Sequence, residues 1–168
     1  FVAMGRLATA KHTDIIVEAC TKLGLPLTVI GDGPDYPRLK KLAGKTVTFL
    51  NGATGTRVSD EDMPGKLAGA RAFIFASFDD FGIAPIEAMA SGTPVIAYQA
   101  GGALDYVQAG KTGLFFAEQT ADSLMDALRA FEKQPPFDPA AIQKHAQNYA
   151  PEAFEQKLRA FIATKIAP

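Results

Sequence analysis

The sequence predicts an α/β fold: a single domain on a parallel sheet of about six strands, with helices on both faces and further helices at the C-terminus. Short apolar runs rich in β-formers recur at Phe1–Met4, Leu27–Ile30, Val47–Leu50, Ala72–Ala76, Pro94–Tyr98 and Gly113–Phe116, and helically periodic segments separate most of them. The runs are nearly all apolar instead of alternating, which suits strands covered on both faces. The chain's 168 residues, 48% hydrophobic and 21% charged, suffice for one core and not for two.

In the first helix Ile15, Ile16, Ala19, Cys20 and Leu23 share one face, and Gly24 and Pro26 stop it. A second is expected from Pro34, a favourable first helical position, through Leu39 and Leu42 to Gly44. Ser59 followed by Asp60, Glu61 and Asp62 reads as an N-cap with an acidic first turn, opening a third helix through Leu67 and Ala70. A fourth is expected from near Pro85 to Ser91-Gly92, and a short fifth over Gly102–Gln108. Three more follow the last strand, at Thr120–Lys133, Asp138–Tyr149 and Pro151–Ile166. In the last of these Phe154, Leu158, Phe161, Ile162 and Ile166 form one apolar stripe, so this helix is expected to pack on a surface, or to leave an apolar patch. Asn51–Arg57, polar and rich in Gly and Thr, reads as a surface loop.

Lysine and arginine number 17 against 18 acidic residues, and a net charge of -1 gives no footprint for nucleic acid or an anionic membrane. Any phosphate site must be local. No apolar run approaches the roughly 18 residues of a membrane span, and the start lacks a signal-peptide pattern, so a soluble, cytoplasmic protein is expected. The single cysteine, Cys20, excludes an internal disulfide and reads as an inert core thiol in a reducing compartment. The first residue is Phe1, inside an apolar run, and the chain is expected to be cut from something longer.

In an open parallel sheet, ligands bind beyond the carboxyl ends of the strands. Four loops fall there: Gly5-Arg6-Leu7 with Lys11, Gly31-Asp32-Gly33-Pro34, Ser77 to Pro85, and Gln99 to Gly102. Arg6 and Lys11 suit a diphosphate, as a guanidinium fork and a point charge, although from spacing alone they read first as two solvated surface cations and the pair persuades only in company. Gly31-Asp32-Gly33 begins like a dinucleotide fingerprint, but Tyr36 and Pro34 break it and it follows the second strand, so it reads either as a nucleotide-lining turn or as a tight strand-to-helix connection. The densest constellation is Asp79-Asp80-Phe81-Gly82-Ile83-Ala84-Pro85-Ile86-Glu87. There the amides of Phe81, Gly82 and Ile83 can form a concave donor array. Glu87, in the first helical turn if Pro85 opens the helix, either favours the helix dipole or accepts from ribose hydroxyls. Gly101 and Gly102 are either an amide cradle or a plain turn. A glycosidase pairing of Asp79 with Glu87 fits poorly, since both flank one loop instead of straddling a bond. His12 and His145 lack metal-ligand company and read as surface residues, so no metal is expected.

Taken together, Gly5-Arg6-Leu7 with Lys11, Gly31-Asp32-Gly33-Pro34, Asp79-x-Phe81-Gly82-Ile83 with Glu87 to Ile96, and Gly101-Gly102 resemble the C-terminal domain of family 4 (group 1) retaining glycosyltransferases, over nearly the whole chain and in order. The resemblance implies a Rossmann-like domain spanning residues 1–168 of an enzyme with two such domains. Its donor would be a nucleotide-diphospho-sugar, GDP- or UDP-linked, with no cofactor or metal ion, and a missing N-terminal domain would supply most of the acceptor site. It implies that Arg6 and Lys11 hold the diphosphate, that Glu87 binds ribose, and that Asp79 contacts the donor sugar beside the Phe81–Ile83 amides, with the glycines lining the donor site. Asp79 stands where the family has Glu, one methylene longer. The run Asp80–Pro85 with Gly101–Leu104 is similar to mannosyltransferases that use GDP-mannose. The isolated domain is expected to bind donor without catalysing transfer. The alternative is a non-catalytic nucleotide-sugar-binding module.

Overall fold

Six parallel strands, β1 (Val2–Met4), β2 (Leu27–Ile30), β3 (Val47–Leu50), β4 (Phe73–Phe75), β5 (Val95–Tyr98) and β6 (Gly113–Phe116), form one sheet in the order β3-β2-β1-β4-β5-β6. They belong to a computed structural model that describes residues 1–50 and 57–166. Apart from Arg57, the expected loop Asn51–Arg57 lies outside the described residues. Eight α-helices accompany the strands among the described residues: α1 (Thr13–Leu23), α2 (Tyr36–Leu42), α3 (Met63–Ala68), α4 (Ile83–Ala90), α5 (Ala103–Tyr106), α6 (Ala121–Glu132), α7 (Pro139–Ala146) and α8 (Pro151–Ile166). The chain builds outward from β1 to β3, then returns to lay β4 against the free side of β1, where Val2 pairs with Phe73. Strand order reverses at that seam, so the loops leaving β1 and β4 diverge and open a crevice.

Alternation along each strand divides the core in two. Ala3, Val29, Ile74 and Ile96 face the layer of α1, α2 and α6, while Val2, Ile30, Phe73, Phe75 and Val95 face that of α3, α4, α5 and α7. Cys20 is wholly buried in the first layer, and burial pushes its thiol up to about 12. The thiolate, which is the reactive form, is therefore almost unpopulated at neutral pH. A maleimide is expected to leave native Cys20 unlabelled over hours and to label it fully in denaturant; rapid native labelling would contradict the burial.

Several helices start or stop away from their expected positions, for local reasons. Helix α2 begins at Tyr36 because Pro34 is spent in a turn whose next amide, that of Asp35, donates to the Leu7 carbonyl at 3.0 Å. Pro37 takes the early helical position instead. Ser59 does cap, but through the Asp62 amide at 3.1 Å, holding a turn ahead of α3. Helix α4 opens at Ile83, two residues before Pro85, because Gly82 at φ 84 makes the break. Pro85 is tolerated there because the first four amides of a helix have no intrahelical acceptor. Helix α5 is confined to Ala103–Tyr106, and α7 ends at Ala146, continued by a 3-10 turn over Gln147–Tyr149. Thr120 and Asp138 cap α6 and α7, accepting from the Ser123 amide at 3.2 Å and the Ala140 amide at 2.9 Å. In α8 the side chains of Phe154, Leu158, Phe161 and Ile162 are exposed, Phe154 to 64% and Phe161 to 60%.

The binding edge of the sheet is assembled by backbone lying directly on backbone. Built in ideal geometry, a Cβ on Gly31 would sit 1.9 Å from the Gly5 carbonyl oxygen, and one on Gly33 2.2 Å from that of Leu7. The β1 and β2 loops therefore pack together only with glycine at both places, stitched by Gly5 N–H to Ile30 at 3.0 Å and Leu7 N–H to Asp32 at 2.8 Å. The β4 and β5 loops repeat the arrangement. A Cβ on Gly101 would meet the Asp79 carbonyl oxygen at 2.5 Å, and one on Gly102 those of Asp80 and Phe81 at 2.5 Å, while the Gly102 amide donates to Asp79 at 2.9 Å. Gly31→Ala is expected to lower the unfolding free energy by about 2 kcal/mol or more. Gly65→Ala, within α3 and with no atom inside 4 Å of its would-be Cβ, should be neutral or stabilising by about 0.5–1 kcal/mol. Equal effects in urea denaturation would contradict the packing account.

Candidate functional site

A cavity of about 210 Å³ opens at the β1/β4 seam, on the carboxyl edge of the sheet. Arg6 and Lys11 come to it from the β1 loop, Ser77, Asp79 and Gly82 from the β4 loop, and Ile83 from the start of α4. Its inner wall, which includes Ala3, Ile16, Val29 and Ile74, is apolar.

Lys11 reaches this position because the chain between β1 and α1 turns twice. Thr9–Lys11 forms a 3-10 turn, and His12 then takes a left-handed conformation, φ 51, which ends that turn before α1 begins. A side chain with a Cβ is disfavoured there, and such residues gather where a local direction must be enforced. From the end of the turn the Lys11 Nζ crosses the seam and donates to both carboxylate oxygens of Asp79, each at 2.7 Å. The two side chains keep 39% and 23% exposure, so the ion pair lies in the mouth of the cavity and not beneath it. Arg6 is exposed and has no ion-pair partner among the described residues. Across the cleft, the amides of Phe81, Gly82 and Ile83 donate to no group among the described residues. Two cations thus line one crevice together with Gly82 and Ile83, whose amides, like that of the flanking Phe81, are open, an arrangement suited to an anion with several oxygens.

Ser77 and Thr13 also line the cavity, and sequence reasoning singled out neither. Ser77 is 2% exposed, and its Oγ has no hydrogen-bond partner among the described residues. It is the first polar residue after an apolar strand, at the carboxyl end where ligands bind, and that position was the available signal. Tyr106 is fully buried behind Gly82 with its hydroxyl also unpartnered; burial first, then the Asp79 and Asp105 carboxylates and Tyr149, raise the phenol's pKa so that it stays protonated. The Phe81 ring packs edge-on against Tyr106, centroids 6.2 Å apart, which fixes the backbone carrying the open amides. His145 is half-buried instead of lying on the surface, its Nε2 2.9 Å from the Tyr106 carbonyl oxygen.

A sequence model of the family described as glycosyl transferases group 1 matches residues 1–156. The chain belongs to that family. It is 32% identical over 145 residues to a GDP-mannose-dependent alpha-(1-6)-phosphatidylinositol monomannoside mannosyltransferase of Mycobacterium tuberculosis, covering 76% of this chain and 36% of that protein. It is 32% identical over 133 residues to a sulfoquinovosyl transferase of Arabidopsis thaliana, covering 76% of this chain and 25% of the other. Among solved structures, sucrose-phosphate synthase from Thermosynechococcus elongatus superposes with a TM-score of 0.78 at 26% identity, over 97% of this chain and 46% of that one. The chain therefore spans between a quarter and a half of the length of these relatives.

Within this glycosyltransferase-family domain the expected site residues separate into groups. Arg6, Lys11, Asp79, Gly82 and Ile83 share the cavity, and Phe81 flanks it. Gly31, Gly33, Gly101 and Gly102 are not among the residues lining this cavity; a Cβ on each would meet a neighbouring loop's backbone. Glu87 lies in the second turn of α4, not the first as a start at Pro85 implied, and is exposed. It lines a separate groove of about 390 Å³ with Asp60, Met63, Pro64 and Leu67. Among the described residues no cluster of three or more potential metal ligands occurs, and no helix is long and apolar enough to cross a membrane.

The unpartnered Ser77 hydroxyl yields a stability prediction. Replacing a buried group that has no partner removes a desolvation cost, so Ser77→Ala should leave the unfolding free energy of the unliganded protein within about 1 kcal/mol of the parent, or raise it. A fall of about 2 kcal/mol in urea denaturation would mean that the hydroxyl is satisfied.

Proposed function

We propose that the domain binds a nucleotide-diphospho-sugar at the β1/β4 seam and is the donor half of a retaining, metal-independent hexosyltransferase, with the acceptor held by a second domain. The observation that carries this reading is that Arg6, Lys11, Gly82 and Ile83 line one cavity at the strand-reversal point, with the open amide of Phe81 beside it. The relatives' greater length supports a second domain, and family membership supports glycosyl transfer.

In the proposed reaction the bond between the sugar's anomeric carbon and the terminal phosphate oxygen breaks, that carbon joins the acceptor oxygen, and the acceptor hydroxyl's proton passes to the departing phosphate oxygen. The departing nucleoside diphosphate gains negative charge as the bond opens. Arg6 and Lys11 stabilise that charge where it develops, with no metal ion needed, and the Phe81–Ile83 amides add fixed dipoles. Asp79 accepts hydrogen bonds from sugar hydroxyls. Glu87, which lines the separate groove, takes the ribose diol. GDP-mannose is the preferred donor, supported by the Asp80–Pro85 and Gly101–Leu104 runs and by the mycobacterial relative's dependence on that donor.

Calorimetric titration with GDP, UDP, ADP and GDP-mannose, with and without magnesium, tests this reading. The expected result is base-selective binding independent of magnesium, weakened by about 1–3 kcal/mol in each of Arg6→Ala and Lys11→Ala through loss of charge-assisted contacts. Glu87→Ala should chiefly erode discrimination of ribose from deoxyribose. Parent-like affinity in both cation variants would overturn the assignment.

A further inference from the structure

We propose that Asp79 is an internal counter-ion that occupies Lys11 in the empty site and makes the site select a sugar-bearing diphosphate over a free nucleoside diphosphate; this rests on the assignment of Lys11 to the diphosphate. Both Asp79 oxygens contact the Lys11 Nζ at 2.7 Å, so the carboxylate takes the cation's cleftward side in a two-oxygen grip such as a phosphate would make. The pair spans the mouth of the cavity, with both residues lining it. A diphosphate arriving at Lys11 meets the Asp79 carboxylate already there and either displaces it or sits against its negative charge, while Arg6 has no ion-pair partner among the described residues to be displaced.

The consequence of that displacement differs between ligands. A free nucleoside diphosphate takes the cation and leaves a part-buried carboxylate beside its own negative charge, which is repulsive. A sugar attached to the terminal phosphate brings hydroxyl donors, so Asp79 exchanges an ammonium for hydroxyls while Lys11 exchanges a carboxylate for a phosphate. Both groups thus keep hydrogen-bond partners through the exchange, which a free nucleoside diphosphate does not offer Asp79. After transfer the sugar is gone, Asp79 loses its hydroxyl partners and reclaims Lys11, and the nucleoside diphosphate is expelled. The single methylene of Asp79 suits this role, since it keeps the carboxylate on Lys11 in the absence of ligand.

Calorimetry on the whole 168-residue chain, with GDP against GDP-mannose and UDP against UDP-glucose, tests the proposal in the parent, Asp79→Asn, Asp79→Ser, Lys11→Ala and the Asp79→Asn/Lys11→Ala double variant. Both Asp79 variants should bind the free nucleoside diphosphate about tenfold more tightly while gaining nothing for the matching sugar nucleotide. The gain should vanish when Lys11 is also removed. Unchanged or weaker nucleoside diphosphate binding in both Asp79 variants, with Lys11→Ala still impaired, overturns the counter-ion and leaves the diphosphate assignment standing. Binding that is indifferent to Lys11→Ala, or absent in the parent, overturns that assignment and the counter-ion with it.

Discussion

The site depends on the closeness with which four loops pack in pairs at one edge of the sheet. Gly31 and Gly33 let the β2 loop lie on the β1 loop, and Gly101 and Gly102 let the β5 loop lie on the β4 loop, with would-be Cβ atoms 1.9 to 2.5 Å from carbonyl oxygens. A methyl group at any of these places would push a pair apart. Each pair carries one half of the chemistry: Arg6 and Lys11 ride on the first, and Asp79 with the open amides of Phe81–Ile83 on the second. The strand order β3-β2-β1-β4-β5-β6 places the pairs on either side of a single seam. The backbone thus sets the distance across which Lys11 and Asp79 meet.

Much of this was readable in the sequence because it follows from local pattern. The strands at Leu27–Ile30, Val47–Leu50 and Gly113–Phe116 and the helix at Pro151–Ile166 keep their expected bounds, since apolar periodicity and Gly or Pro punctuation determine them. Errors at the ends of α2 and α4 came from residues with two possible uses. Pro34 can open a helix or make a turn, and the Leu7 carbonyl decides it by taking the Asp35 amide. Gly82 and Pro85 can each mark a helix start, and the positive φ of Gly82 decides that case. The four loop glycines were ambiguous for a deeper reason. A glycine that admits a ligand and one that admits another backbone are the same letter, and only contacts made across the fold distinguish them. Ser77 was hidden for the opposite reason, since burial and the absence of a partner are properties of the assembled site.

Charge is used sparingly and locally. A chain with a net charge of -1 has no general attraction for anions, so the cavity must draw its positive character from Arg6, Lys11 and open amides alone. Asp79 offsets part of that character in the empty molecule. Glu87 stands apart in its own groove, which divides the surface into a cation-rich cavity and a carboxylate-bearing neighbour. The α8 stripe adds an unrelated feature: its Phe154, Leu158, Phe161 and Ile162 side chains are exposed and belong to neither core cluster among the described residues.

The most direct test of the seam as the diphosphate site is a crystal structure of this chain with the nucleoside diphosphate that binds it best in solution. The account predicts phosphate oxygens on Lys11 Nζ and the Arg6 guanidinium, with the Phe81–Ile83 amides donating to the same group and the Lys11–Asp79 contact broken. A diphosphate bound elsewhere, for instance beside Lys66 and Arg71 in the cavity that also includes Phe1 and Thr28, with Lys11 and Asp79 still joined, would contradict it.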